Sequence, residues 1–257
     1  MINNERVSII MPCYNAAETI RDSLISALNQ TYTDFEIIIC DDSSSDESVN
    51  IIKSFQDERI KVVKNSFSKG AAGARNSALE HVTGRYVCFL DSDDLWSESK
   101  LNIQLEHMKE SDSAMSYGDY FIFEGSVGNI IGLFNPPKAI GYNELKRKCD
   151  IGCLTVMLDR NKIDNIIMPN CYKEDYATWL LLLKRGIIAT KYKGEHAFYR
   201  KGNNSLSSNK LIEIKRQFLV LNEICGINVL SCIYYTSLYV VNGIFKHIYV
   251  YKNKRKI

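Results

Sequence analysis

Tyr86-Val87-Cys88-Phe89-Leu90-Asp91-Ser92-Asp93-Asp94 is an uncharged, strand-like run that ends in three carboxylates within four residues. Side chains of a strand alternate in direction and its end faces solvent, so Asp91 and Asp93 can point into one crevice while Asp94 opens the following turn. Hard cations such as Mg²⁺ suit that arrangement, because they take one or two carboxylates and fill their remaining positions with water and substrate phosphates. The plainer reading is a turn former or helix cap ahead of a helix from about Glu98 to Lys109. One Asp would meet that need. Three clustered acids repel one another unless a cation or a donor offsets them, so the stretch is read as a metal site.

Upstream, short apolar runs alternate with helix-period segments, which implies βαβ units around a mostly parallel sheet. Val7 to Met11 is the first strand, followed by a helix capped by Asn15 with Glu18 three residues on. The apolar face of that helix is Ile20, Leu24, Ala27 and Leu28. Glu36 to Cys40 is the second strand, and it runs into Asp41-Asp42-Ser43-Ser44-Ser45-Asp46 and a helix bearing Val49, Ile52 and Phe55. Ile60 to Lys64, a helix from Ala71 to His81, and Arg85 to Leu90 complete the pattern. Ligands of open parallel sheets bind outside the carboxyl ends of the strands. The turns at Pro12 to Asn15, Asp41 to Ser44 and Asp91 to Asp94 share that edge, and only the shared edge makes one site of them.

The 257 residues suit one α/β domain with an appendage and suffice to bury a full core. The formal charge of +2 hides an asymmetry, because Lys246, Lys252, Lys254, Arg255 and Lys256 lie beyond Glu223, the last acid. Removing those five charges leaves the remainder at −3, which argues against a nucleic-acid binder and for an anionic partner near the C-terminus. Eight cysteines form no CxxC pair, and Met1 to Arg6 lacks a signal-peptide pattern. A reduced, cytoplasmic protein is expected.

Beyond residue 112 the regularity weakens. Ala114 to Phe123, Asn129 to Phe134 and Cys153 to Leu158 read as strands, and Lys173-Glu174-Asp175 opens a helix whose buried face is Tyr176, Trp179, Leu180 and Leu183. Acids in a first helical turn are also favoured by the helix dipole, so Glu174 and Asp175 have a structural reading beside a chemical one. No boundary is drawn before about residue 225, which gives a domain at 1–225, divided near residue 112 into a ligand-binding half and an acceptor half, and a tail at 226–257. From Ile224 to Phe245 there is no charged residue, yet Asn228, Ser231, Thr236, Ser237 and Asn242 interrupt the run. That polar content argues against a spanning helix. The five tyrosines at 234, 235, 239, 249 and 251 and the basic end suit an interfacial helix on an anionic membrane. The alternative is a C-terminal helix pair packed on the protein's own core.

With these residues in place the chain resembles the family 2, inverting glycosyltransferases of GT-A fold, a Rossmann-like mostly parallel sheet flanked by helices. The resemblance covers roughly residues 5 to 208. It rests on Val7 to Asn15, the Gln30-Thr31-Tyr32 turn, Asp41 to Asp46, Lys69-Gly70 through Ala74-Arg75-Asn76, Asp91 to Asp94, and Glu174-Asp175. It implies a UDP-sugar donor, with Pro12 and Tyr14 at the base, Asp42 on the uracil ring, and Asn15, Lys69, Arg75, Asp91 and Asp93 among the other nucleotide-sugar contacts. A carboxylate accepts well from the uracil N3–H, and a guanidinium pairs with phosphate. Asp93 and Asp94 would hold Mn²⁺ or Mg²⁺, which stabilises charge on the departing nucleoside diphosphate. Asp175 would be the catalytic base, with Glu174 positioning the acceptor or supporting it. Tyr199-Arg200 and Asn204-Ser205-Leu206-Ser207 are similar to the segment that follows the base, while His196 reads as structural. Departures are Gly73, where a small residue is usual, and the absence of a glycine in Ser43-Ser44-Ser45. The resemblance further implies a bacterial enzyme that extends a lipid-linked glycan for O-antigen or capsule, peripheral on the inner face of the plasma membrane.

Two rivals remain at this stage. A haloacid dehalogenase-like phosphatase or mutase also ends a strand in DxD, with Asp91 as nucleophile, but leaves the Pro12 to Asn15 and Asp41 to Asp46 motifs without a use. A catalytically inactive nucleotide-binding subunit of a polysaccharide assembly would keep the acids for folding alone.

Overall fold

The computed structural model describes residues 5–202 and 210–252. In chain order these form β1 (Val7–Cys13), α1 (Ile20–Leu28), β2 (Phe35–Asp41), α2 (Ser48–Lys53), β3 (Ile60–Lys64), α3 (Ala71–Leu79) and β4 (Tyr86–Phe89). Then follow β5 (Leu95–Trp96), α4 (Lys100–Glu110), β6 (Met115–Phe123), β7 (Ile130–Phe134), β8 (Ala139–Ile140) and α5 (Tyr142–Leu145). A 3₁₀ turn (Cys153–Thr155), β9 (Met157–Asp159), α6 (Glu174–Lys184), β10 (Ala189–Arg200), α7 (Lys210–Leu219), a π turn (Val220–Ile224) and α8 (Val229–Lys252) complete the chain. The Asn204 to Ser207 segment and the basic residues Lys254, Arg255 and Lys256 lie outside the described residues.

One sheet runs in the order β3-β2-β1-β4-β9-β6-β10-β5, with β7 beside β6 and β8 beside β10. The first four strands are mutually parallel, and β10 is parallel to β6, while β9 runs antiparallel to both β4 and β6. The N-terminal half of the sheet is therefore parallel, and the antiparallel pairings of β5, β7, β8 and β9 make the whole a mixed, GT-A-like sheet. Its central strands are apolar without alternation because both faces are covered. Ile10, Ile38 and Phe89 face one core with Ala74, Ala78, Trp179 and Leu180, and Ile9, Ile37 and Cys88 face the other with Ile20, Leu24, Leu101 and Leu105.

Trp179 fixes the distant helix to the parallel strands. It is fully buried and meets Phe89 edge-on at 5.5 Å between ring centroids. One helical turn separates Trp179 from Asp175, and Phe89 lies two residues before Asp91, so this contact sets the start of α6 against the end of β4. Truncation of such an aromatic costs about 3–5 kcal/mol, which makes the contact a major determinant of site geometry.

Two local expectations, and the plainer capping reading of the acidic turn, are corrected. Asn15 does not cap α1: that helix starts at Ile20 after a turn, and Asn15, at φ 47°, spends its side-chain carbonyl on the Ser45 N–H at 2.8 Å. Cys153 to Leu158 is split into the 3₁₀ turn and the shorter β9, since Thr155 Oγ1 donates back to the Gly152 carbonyl and closes the turn. Asp94 caps no helix, because β5 intervenes before α4 and its carboxylate accepts instead from the Arg200 N–H of β10 at 2.8 Å.

No described helix is long and apolar enough to cross a membrane. The tail helix α8 has two different faces. Cys232 and Thr236 are buried, Tyr235 accepts from Lys146, and the Asn242 amide donates to the Arg147 carbonyl. Leu230, Ile233, Tyr234 and Val241 are exposed on the other side. Both readings of the tail thus have a physical counterpart: one face packs on the domain and the other presents an apolar stripe to solvent.

Candidate active site

The turns after β1 and β2 are laced together by short polar side chains. Asn15 N donates to Ser44 Oγ at 3.0 Å, Ala16 N to Ser48 Oγ at 2.7 Å and Ala17 N to Asp46 at 2.9 Å. These bonds satisfy amides that no helix or strand takes up. Pro12 sits beside Cys40 in the β1–β2 register. Tyr14 stands half exposed, with the Lys69 ammonium 4.6 Å from its ring centroid. Asp42 is buried and accepts from the Asn65 amide at 2.6 Å and from Gly70 N at 2.8 Å. Gly70 has φ 119°, a conformation that favours glycine, so the Lys69-Gly70 pair can turn its N–H onto Asp42. A carboxylate has about four acceptor positions, and two bonds leave Asp42 room for another donor.

The three acids after β4 have three different surroundings. Asp91 is paired with Arg75 at 2.5 Å. Asp93 is crowded by the surrounding protein and repelled by Asp91, which pushes its carboxyl up to about 6. Asp94, 1% exposed, lies well above the usual carboxylate range because of burial and then the charges of Asp93 and Asp91. Arg200 closes over this turn, donating from Nε to the Asp93 carbonyl at 2.8 Å and stacking its guanidinium 4.7 Å from the Phe123 ring centroid.

No cluster of three or more His, Cys, Asp or Glu side chains able to hold a metal occurs among the described residues. Two carboxylates are nevertheless enough for Mg²⁺ or Mn²⁺ when substrate phosphates supply the rest. Asp93 and Asp94 keep raised carboxyls even though Arg200 partly offsets the repulsion, and neither has a salt bridge among the described residues, so the residues present fit a divalent cation.

The third component is the first turn of α6. Lys173 precedes it in the left-handed region at φ 62° and inserts its ammonium between α7 and α8, 2.8 Å from Gln217 Oε1 and 3.4 Å from the Tyr239 hydroxyl. Glu174 is paired with Arg75 at 2.5 Å. Asp175 accepts the Tyr176 N–H at 2.7 Å, and burial, then the charge of Glu174, pushes its carboxyl up to about 6 despite the opposing Arg75. An acid titrating there is ionised at neutral pH yet basic enough to take a proton from a reacting hydroxyl.

A cleft of about 910 Å³ joins these parts. Lys69, Asp91, Asp94, Glu174 and Asp175 line it directly. Asp42 touches its wall through Gly70 and Tyr14 through Lys69. Pro12, Asn15, Arg75 and Asp93 are not lining residues; Asn15 braces the loops and Arg75 lies behind the wall. Sequence reasoning missed Tyr120, Tyr172, Lys173, Glu213, Arg216 and Tyr239, all of which line the cleft. Tyr120, Glu213, Arg216 and Tyr239 carry no local signature, because β6, α7 and α8 bring them in from distant segments, while Tyr172 and Lys173 lie in the turn just before α6. His196 is structural as read: its Nδ1 lies 2.8 Å from Ser97 Oγ and burial lowers its basicity.

A Rossmann-like sheet with laced loops at its strand ends, an acidic turn and a poised carboxylate across the cleft defines a sugar-nucleotide-dependent transferase. The glycosyl transferase family 2 model matches residues 8–167, and the chain belongs to that family and is a glycosyltransferase. It is 45% identical over 251 residues, 97% of this chain and 98% of the relative, to the UDP-Glc:α-D-GlcNAc-diphosphoundecaprenol β-1,3-glucosyltransferase WfgD of Escherichia coli. Among solved structures, S. aureus TarS 1–349 with UDP-GlcNAc matches with a TM-score of 0.66 at 18% identity, covering 91% of this chain and 71% of that one. The mannosyltransferase PcManGT from Pyrobaculum calidifontis with GDP-Man and Mn²⁺ matches at 0.64 and 15%, covering 90% and 69%. Those two likenesses show the GT-A fold. The phosphatase reading falls with the family match, and with Asp91 committed to Arg75 rather than free as a nucleophile.

Proposed function

We propose that this glycosyltransferase moves glucose from UDP-glucose, with inversion, to a hydroxyl of a GlcNAc-diphospholipid during bacterial surface-polysaccharide synthesis. The observation that carries the reading is one cleft lined by the Lys69-Gly70 wall on the nucleotide side and by Asp175 on the other. The 45% identity to the E. coli glucosyltransferase over nearly the full length of both chains supports the choice of donor and acceptor.

In this reading Tyr14 offers a stacking face to the uracil, and Asp42 accepts from its N3–H. Lys69 faces the diphosphate. Asp93 and Asp94 would hold Mn²⁺ or Mg²⁺, and when bound the ion supplies Lewis-acid stabilisation of charge on the leaving diphosphate. Asp175 takes the proton of the acceptor hydroxyl as its oxygen attacks the anomeric carbon from the face opposite UDP. Glu174, held by Arg75, keeps the first turn of α6 in place. The exposed apolar face of α8, near which Tyr239 reaches the cleft, supports a peripheral position on an anionic inner membrane, where the lipid of the acceptor lies.

The test is release of UDP from UDP-glucose, UDP-galactose and UDP-N-acetylglucosamine, each with a short-chain GlcNAc-diphospholipid and Mn²⁺. UDP-glucose is expected to turn over fastest and only with acceptor. Equal, acceptor-independent release from all three would end the assignment.

A further inference from the structure

Arg75 is the most heavily buried charge in the site that the mechanism above does not use chemically. The residue is 4% exposed on α3, yet it is not a lining residue of the cleft. Its Nη1 donates to Glu174 Oε1 and its Nη2 to Asp91 Oδ1, each at 2.5 Å, while Nε has no hydrogen-bond partner among the described residues. Those two carboxylates come from segments 99 and 16 residues away in sequence. A guanidinium is a planar, permanently charged fork, so it can hold two carboxylates at a set angle where a lysine would hold one point. A buried cation with two such partners resists rearrangement, because losing either partner leaves an uncompensated charge away from water.

We propose that Arg75 is a positioning residue: a buried two-armed strut that ties the acidic turn after β4 to the first turn of α6, and so holds Glu174 and Asp175 at a fixed distance from the donor side. This rests on the reading of Asp175 as the base. The donor phosphates are left to Lys69 and to the cation site. Removing the strut frees the start of α6 from the β4 end while Trp179, one turn further on, keeps the helix docked. The displacement is therefore local, and misplacement of a reacting group by about 1 Å is enough to cost roughly 100-fold in rate.

The same geometry predicts a sign for the pH profile. Around Asp175 stand the acids Glu174 and Asp91, the cation Arg75 and the neutral groups Cys153, Cys171 and Tyr199, with the Tyr176 N–H bonded to it and Lys173 one position before Glu174. Loss of Arg75 leaves two negative neighbours unopposed, which moves the acid limb of kcat to higher pH. Glu174→Gln removes one negative neighbour and moves it to lower pH.

The experiment compares wild type, Arg75→Gln, Arg75→Lys and Glu174→Gln in kcat, donor KM, UDP affinity by calorimetry, and kcat between pH 5 and 9, with Mn²⁺ present throughout. Arg75→Gln is expected to lower kcat at pH 7 by about 100-fold with UDP affinity unchanged. Its acid limb moves up and that of Glu174→Gln moves down. Arg75→Lys restores the limb but recovers only part of kcat, since it keeps the charge and loses the second arm. UDP affinity weakened about tenfold or more in Arg75→Gln, with kcat kept, would make it a phosphate ligand and overturn the proposal. A uniform loss with unmoved limbs in all three variants would reduce it to fold support and overturn it equally. If Arg75→Gln does not fold, Arg75→Lys decides: kcat lowered with limb and UDP affinity unchanged supports the strut, and wild-type kcat overturns it. Asp175→Asn, run alongside, separates failure of the strut from failure of the base assignment: near-normal turnover there removes the base whatever Arg75 does.

Discussion

Replacing Asp175 by Asn should abolish transfer while making the protein more stable, and the two effects have one cause. Burial and the neighbouring Glu174 lift this carboxyl from 3.8 to about 6, so the folded protein binds the proton more tightly than the unfolded chain. Two units correspond to about 3 kcal/mol by which ionised Asp175 disfavours the native state at neutral pH. The cost shrinks as pH falls through about 6 and is gone only below about 3.8, where the carboxyl is neutral in both states. Asn is neutral throughout and can still accept the Tyr176 N–H. Asp175→Asn should thus gain up to about 3 kcal/mol at pH 7.5, a rise in Tm of several degrees for about 250 residues, and the gain should shrink on acidification. Over the same range wild-type kcat should trace the ionised fraction, about 90% at pH 7 and about 10% at pH 5, whereas an unshifted carboxyl would still be mostly ionised at pH 5. Loss of a general base costs about 10²- to 10⁴-fold, so the variant should bind UDP and release almost none from UDP-glucose. Scanning calorimetry at pH 7.5 and 5 and a UDP-release assay across pH check both halves. Near wild-type turnover, or an acid limb with its midpoint below about pH 4.5, would refute the reasoning.

Asp93→Ala should weaken UDP binding in the presence of Mn²⁺ and leave metal-free binding as it was, because its loss removes a cation ligand and not a nucleotide contact; calorimetry with and without chelator reads the difference. Gly73→Ala should destabilise the fold by about 1–3 kcal/mol, since a Cβ there would stand 1.8 Å from the Ser68 carbonyl oxygen and force the backbone before Lys69 to move. Thermal unfolding measures that shift, and an unchanged Tm would contradict it. Deleting residues 226–257 should abolish sedimentation with anionic vesicles at low salt if the α8 stripe and the basic end form the membrane contact. A full chain that stays in the supernatant would remove that contact.

What the sequence discloses and what it conceals divide along a physical line. The parallel half is legible because strands covered on both faces must be apolar runs, and Ile37 to Cys40 or Val87 to Leu90 allow little else. Its loops are legible as a set, since acids and serines at successive strand ends can only converge if the strands are parallel. Individual roles inside the loops are not legible. Asn15 has the spacing of a helix cap, but the Ser45 amide competes for the same carbonyl, and no local rule ranks a partner thirty residues away. Gly73 looks like a neutral departure in sequence, whereas the Ser68 carbonyl leaves no space for any side chain.

The same limit explains Arg75 and Lys173. Each looks like an ordinary surface cation in its own segment, Arg75 by helical position and Lys173 by its place before two acids. Arg75 is buried and Lys173 largely shielded because segments that join the site late in the chain bring their partners: Glu174 for Arg75, Gln217 and Tyr239 for Lys173. Two cations tie this turn to its surroundings: Arg75 of α3 holds Glu174, and Lys173, the residue before Glu174, reaches out to Gln217 of α7 and Tyr239 of α8. Asp175, the proposed base, follows directly, so its position is tied both to α3 and to the C-terminal helices. On this geometry the rate-setting distance depends on how the tail packs, and changes at Tyr239 should be felt in kcat even though Tyr239 is far from Asp175 in sequence.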